Sequence, residues 1–103
     1  MKWKIIEKIF DPKKNNIHWM KSHAWVPTVI NIKNNSYRVF FASRNCNNLS
    51  QVGAFTINID NFKVSNLTKK PVLEIGDRGY FDDSAVSPCH VIKVKNFFLM
   101  YYV

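Results

Sequence analysis

At 103 residues the chain is one small domain, and a composition of 47% hydrophobic and 15% aromatic residues excludes a disordered tail. A formal charge of +8 favours anionic partners, but the chain is equally rich in Asn, Ile and Phe, a bias that follows nucleotide composition as much as selection for charge. Two cysteines, Cys46 and Cys89, are too few for a disulfide-built scaffold, and no apolar run reaches membrane-spanning length. With no signal-peptide pattern at the start, a cytoplasmic location and no membrane partner are expected.

In chain order, Met1 to Phe10 fits two periods at once. Trp3, Ile6 and Phe10 suit a helical stripe, while Trp3, Ile5 and Ile9 nearly suit a strand, and Asp11-Pro12 ends either. The mixed run from Ile17 to Trp25 has no clean period and reads as a binding loop or an irregular lead-in to a strand. From Val26 the period becomes two, with Val26, Thr28, Ile30 and Ile32 on one face, and Asn34-Asn35-Ser36 supplies hairpin turn chemistry. The return strand, Tyr37 to Ser43, has apolar residues on both faces, as expected between layers. It delivers Arg44 into the polar loop Asn45-Cys46-Asn47-Asn48.

A third strand is predicted over Gln51 to Asp60, where Phe55, Ile57 and Ile59 alternate with Thr56, Asn58 and Asp60. A weaker fourth is predicted within Lys63 to Glu74. Gly76-Asp77-Arg78-Gly79 then turns the chain and presents Tyr80-Phe81-Asp82-Asp83. Two apolar strands follow, Cys89 to Val94 and Phe97 to Val103, joined at Lys95-Asn96.

An internal repeat organises these elements. Placing Pro27 on Pro88, an offset of 61 residues, superposes Tyr37-Arg38-Val39-Phe40-Phe41 on Phe98-Leu99-Met100-Tyr101-Tyr102. Four antiparallel strands followed by the start of a second similar set is the grammar of a β-propeller. The expected fold is therefore all-β, one four-stranded antiparallel blade over residues 24–76 and an incomplete second blade over 77–103, preceded by an N-terminal segment and lead-in loop over 1–23. A lone repeat cannot bury both faces of its sheet. The uncharged last strand is thus expected to expose an unfinished edge, through which the chain could form a homo-oligomer.

Several stretches carry a more specific resemblance: Trp19-Met20-Lys21-Ser22-His23-Ala24, Val26-Pro27-Thr28, Phe41-Ala42-Ser43-Arg44, Asn48-Leu49-Ser50, Lys70-Pro71-Val72-Leu73, Phe81-Asp82-Asp83-Ser84 and Tyr101-Tyr102. Together they resemble the N-terminal part of a bacterial family of five-bladed β-propeller proteins related to glycosidases, similar to the propellers of arabinanases and fructosidases. The resemblance implies a sugar-facing site at the narrow end of a central funnel. His23 and Arg44 match its substrate-binding positions, and Asp82 and Asp83 its acidic ones.

Glycoside hydrolysis commonly uses two carboxyl groups roughly 5 to 10 Å apart. Adjacent Asp82 and Asp83 in extended chain would point to opposite sides, so at most one is catalytic and its companion acid is expected in blades this chain lacks. Asn45 replaces a usual acid, Leu49 a usual arginine and Ala85 a usual glycine, each lowering the expectation of retained catalysis. The function expected is that of a truncated, inactive glycoside hydrolase-like protein. The alternative is a nonenzymatic carbohydrate-binding or self-assembling module.

Structural readings compete at each position. His23 suits a packed or capping role, Arg44 and Asp83 could pair across the sheet, and Asp82-Asp83-Ser84 is also a common turn motif. His90 reads as structural. His18, His23, Cys46 and Cys89 lack metal-ligand spacing and no phosphate loop is visible, so no metal or cofactor is expected. Six of the fifteen Lys and Arg residues fall in the first 21 positions, but none interleaves with aromatics in a nucleic-acid-binding module.

Overall fold

Runs of β-branched and aromatic residues, punctuated by Asn-containing turns, set the architecture. The computed structural model describes all 103 residues, and its regular structure is strand apart from one 3-10 turn, Pro12–Lys14. β1 (Ser22–Lys33), β2 (Ser36–Arg44), β3 (Ser50–Asn58) and β4 (Val64–Ser65) form one antiparallel sheet in the order 1-2-3-4. β5 (Pro88–Val94) and β6 (Phe97–Tyr102) form a separate antiparallel hairpin, with β5 lying against β1. The all-β class and the four-stranded sheet are as the sequence predicts.

The repeat has a structural counterpart. Both hairpins close over two residues, Asn34-Asn35 between Lys33 and Ser36, and Lys95-Asn96 between Val94 and Phe97. In each, the first loop residue has positive φ, +47° at Asn34 and +52° at Lys95. Such a loop matches the right-handed twist of the strands it joins.

β2 and β3 pair without interruption from Ser36↔Asn58 to Arg44↔Ser50. β1 is different. Its register against β2 shifts between Ser22 and Trp25 and again between Trp25 and Thr28, and His23 and Val26 take positive φ of +64° and +43°. These bulges break the alternation expected from Val26, which is exposed together with Ile32. The period-two pattern therefore begins at Thr28.

The main core lies on one face of the sheet, where Val39 and Phe41 of β2 and Phe55 and Ile57 of β3 meet Trp19 and Met20. Trp19 and Met20 are only 2% and 1% exposed, so the segment is the irregular lead-in to β1, and before the strand begins it plugs the core rather than forming an open binding loop. The Trp19 indole N–H donates to the Lys69 carbonyl at 2.9 Å, which ties the plug to the far side of the sheet. Gly53 makes room for it, since a Cβ there would lie 2.6 Å from the Trp19 ring and 3.0 Å from Phe41.

The first ten residues adopt neither predicted period. They have no regular structure, and Trp3, Ile5 and Ile6 are exposed. Phe10 alone enters the core, its ring 5.0 Å from Phe41 and 4.9 Å from Phe55. Asp11 then caps the 3-10 turn, accepting from the Lys13 N–H at 3.1 Å and pairing with Lys8 at 2.9 Å.

The fourth strand is an interrupted edge. β4 holds two residues, Asn66 turns away at φ +51°, and the chain rejoins β3 where Thr68 N–H donates to Ala54 O and Val72 N–H to Val52 O. Further on, residues 84–86 cross the end of β3: Ser50 N–H donates to Ser84 O, and Val86 N–H to Ser50 O. β6, by contrast, has a partner on one side only, and Phe97, Phe98, Leu99 and Tyr101 are exposed.

Candidate functional site

The four residues singled out in the sequence gather at one end of the sheet. A single cross-sheet row runs Ser22, Arg44, Ser50, Ala85, through the pairs Ser22↔Arg44, Arg44↔Ser50 and the parallel bridge Ser50↔Ala85. His23 follows the first member of that row, and Asp82 and Asp83 precede the last. The fold thus brings them to one end without placing them in contact. Arg44 makes no ion pair with either acid, so the expected alternative of a cross-sheet Arg44–Asp83 pair is not what holds them.

At the acidic loop, backbone donors decide the chemistry. The Gly79 N–H donates to Asp83 Oδ2 at 2.9 Å and the Ser84 hydroxyl to Oδ1 at 2.7 Å. Those two bonds, the Gly79 one first, hold the Asp83 carboxyl below its ordinary pKa of 3.8. Asp83 is therefore a carboxylate at neutral pH, suited to act as a base, nucleophile or hydrogen-bond acceptor rather than as a proton donor.

Asp82 has separate partners. Its Oδ2 accepts from the Tyr102 hydroxyl at 3.2 Å, and the Phe81 ring stacks on Tyr102 at 5.9 Å. The chain here is turned rather than extended, which corrects the expected geometry. Each carboxylate nevertheless keeps its own set of donors.

Asp82 also folds back on Gly76, whose N–H donates to the Asp82 carbonyl at 2.9 Å. A Cβ at Gly76 would collide with the Asp82 carboxylate, so only glycine lets the loop close this way. Burial first, and then the bond to Asp82, raise the Tyr102 pKa above its ordinary 10.0. In Gly76→Ala the carboxylate is expected to swing away. An NMR titration of the Tyr102 ring should then find its midpoint shifted down toward 10.0, and an unmoved midpoint would show that the loop closes without glycine.

At the other locus, the Arg44 guanidinium carbon sits 5.1 Å from the centre of the Trp25 ring, a cation–π contact. His23 lies beside the same indole, ring centres 6.0 Å apart, with its Nδ1 hydrogen-bonded to the Ser22 hydroxyl at 2.8 Å. Trp25 and Tyr102 were not singled out in the sequence as site residues. Trp25 stands two residues after His23 in an aperiodic run, which was the available signal, whereas the approach of Tyr102 to Asp82 spans 20 residues and leaves no local trace. His90, expected to be structural, is exposed.

None of His23, Arg44, Asp82 and Asp83 lines a cavity. The largest groove, about 610 Å³, lies instead between the N-terminal segment and the sheet, among Ile5, Ile6, Ile9, Val29, Val39 and Ile57. No three of the His, Cys, Asp and Glu side chains converge as a metal site would require, and no helix is long and apolar enough to cross a membrane.

No protein-family model matches this chain. Likewise no solved structure matches it. It is similar to two curated sequences from Mycobacterium tuberculosis strains, the uncharacterized proteins MT1551 and Rv1502, with 30% identity to each over 103 residues. That alignment takes in 99% of this chain and 34% of each relative. The chain thus spans about a third of the length of the curated relatives it matches.

Proposed function

We propose that this chain forms the first blade and the opening hairpin of the second in a glycosidase-like five-bladed β-propeller, and that the end bearing His23, Arg44, Asp82 and Asp83 faces a sugar. The observation that carries this reading is the placement of the repeated hairpin. β1 to β4 follow one another outward as blade strands do, and the chain then returns to lay β5 against β1, the arrangement of two neighbouring innermost strands. His23 lies at the start of β1, Arg44 at the end of β2, and Asp82 and Asp83 in the turn leading to β5, the loop end that propellers use for ligands.

The same geometry limits what these residues do alone. Asp83 is an anion held by Gly79 and Ser84, its neighbour Asp82 is engaged by Tyr102, and Asp11 and Asp60 are engaged elsewhere by Lys8 and Asn35. The chain is therefore a sugar-binding half-site, and hydrolysis belongs to an assembly that supplies a companion carboxyl. Saturation-transfer NMR with a panel of mono- and oligosaccharides tests this. Contact with at least one sugar, weakened about tenfold in Asp83→Ala through loss of a charged acceptor, is the expected result. A folded, soluble chain that takes up none of the sugars would overturn it.

A second reading, a nonenzymatic module that assembles through its sheet edge, is favoured by the exposed apolar side chains of β6. The two readings meet at β6, where Tyr102 donates to Asp82 while Phe97, Phe98, Leu99 and Tyr101 stay exposed.

A further inference from the structure

We propose that the sugar recognised at this end carries an oxyanion substituent, a carboxylate in the first instance, and that Arg44 is the residue that reads it. This rests on the sugar-binding reading and adds the chemical class of the ligand. Arg44 is the anomaly of the site. Its Nε is buried with no hydrogen-bond partner, its remaining guanidinium N–H groups donate to nothing in the protein, and no carboxylate pairs with it.

The surroundings explain why the charge stays unmatched. Asn45, the neighbouring residue, spends its Oδ1 on the N–H groups of Asn47 and Leu49 at 2.8 and 3.1 Å, so it offers the guanidinium nothing. Asp83 is turned into its own loop by Gly79 and Ser84, and Asp82 toward Tyr102. Meanwhile the backbone of Arg44 is fixed, its carbonyl accepting from the Lys21 N–H at 2.8 Å, and the Trp25 ring supports the guanidinium.

A guanidinium fixed on an aromatic shelf, with its donors free and local acids diverted, is a receptor for a planar oxyanion. Because Nε is covered, the ligand meets the outer pair of nitrogens end-on. His23, whose Nδ1 is held by Ser22, keeps its other ring nitrogen available beside the same shelf. The Trp25 and His23 rings supply the apolar surface on which a sugar ring rests, so the acidic group and the ring are read together.

The test is a titration of the full chain followed by the indole N–H signal of Trp25, with glucuronate and galacturonate against glucose and galactose, and with acetate and inorganic phosphate as anions lacking the sugar carboxylate. Uronates are expected to bind about tenfold more tightly than the neutral sugars and to lose that preference in Arg44→Lys, which keeps the charge but not the fork. Far-UV circular dichroism of the variant establishes that it is folded, and Trp25→Phe, read from the His23 ring signals, provides a second perturbation should Arg44→Lys fail to fold. Equal binding of acidic and neutral sugars would overturn the role of Arg44 while leaving the sugar site standing. Phosphate or acetate binding as tightly as uronate would overturn the carboxylated-sugar assignment in favour of a simple anion site. Absence of every sugar would remove both readings together.

Discussion

Replacing Trp19 by alanine is expected to lower the free energy of unfolding by about 3 to 5 kcal/mol, the usual cost of deleting a buried large aromatic side chain. A domain of this size has about 5 to 15 kcal/mol in total, so the variant should be severely weakened. Three features set the expectation at that level. The ring is 2% exposed, it lies over Gly53 where no side chain can substitute for it, and its N–H satisfies the Lys69 carbonyl.

The pair Trp19 and Gly53 gives the sharper version of the experiment. Gly53→Ala alone should cost about 1 to 3 kcal/mol, because the new methyl meets the indole edge. In the Trp19→Ala background the same methyl enters vacated space, so urea titrations of the four proteins should find Gly53→Ala cheaper there than in the wild-type background. Additive costs would mean that the two positions do not share a contact.

A second large effect is expected at β6. At tens of micromolar the chain should sediment at twice its monomer mass, and Leu99→Lys with Tyr101→Lys should return it to one. Lysines on an open edge oppose one another when two edges meet, and a penalty of several kcal/mol corresponds to a dissociation constant raised on the order of 100-fold. Leu99 and Tyr101 are 42% and 57% exposed, so the substitutions disturb little of the fold itself. Sedimentation velocity across a concentration series decides it. A wild-type chain that stays monomeric at hundreds of micromolar would refute the association.

Much of this architecture is legible in the residues, and the parts that are not have identifiable causes. Asn34-Asn35 and Lys95-Asn96 are local turn signals between strands, so both hairpins could be read directly. The alternation in β3 placed Phe55 and Ile57 inward as observed, although Ile59 lies beyond the strand end and is exposed. Trp19 and Met20 were opaque because their burial depends on Gly53 and Phe41, far along the chain, rather than on any period of their own.

The same reasoning applies to the site. That His23, Arg44, Asp82 and Asp83 reach one end of the sheet follows from strand lengths and order, which the sequence carries. The freedom of Arg44 from any acid does not. It depends on Gly79 and Ser84 claiming the Asp83 oxygens and on loop backbone claiming Asn45, choices made by turn geometry rather than by residue type. The sequence alone left an Arg44–Asp83 pair open for that reason.

The bulges of β1 bear on how many copies can join. A strand added beside β1 would meet positive φ at His23 and Val26 and then Pro27, which has no N–H to give, while the outer side of β3 is already met by β4, by residues 68–73 and by residues 84–86. In the second sheet β5 and β6 each have one strand partner, but the free side of β5 packs against β1, so β6 is the more open row of unpaired backbone groups. A contact made by the same edge in both partners uses that edge up. Association through β6 alone would be isologous, about a two-fold axis, and would terminate at a pair, whereas a chain using two edges would propagate head to tail into a fibre.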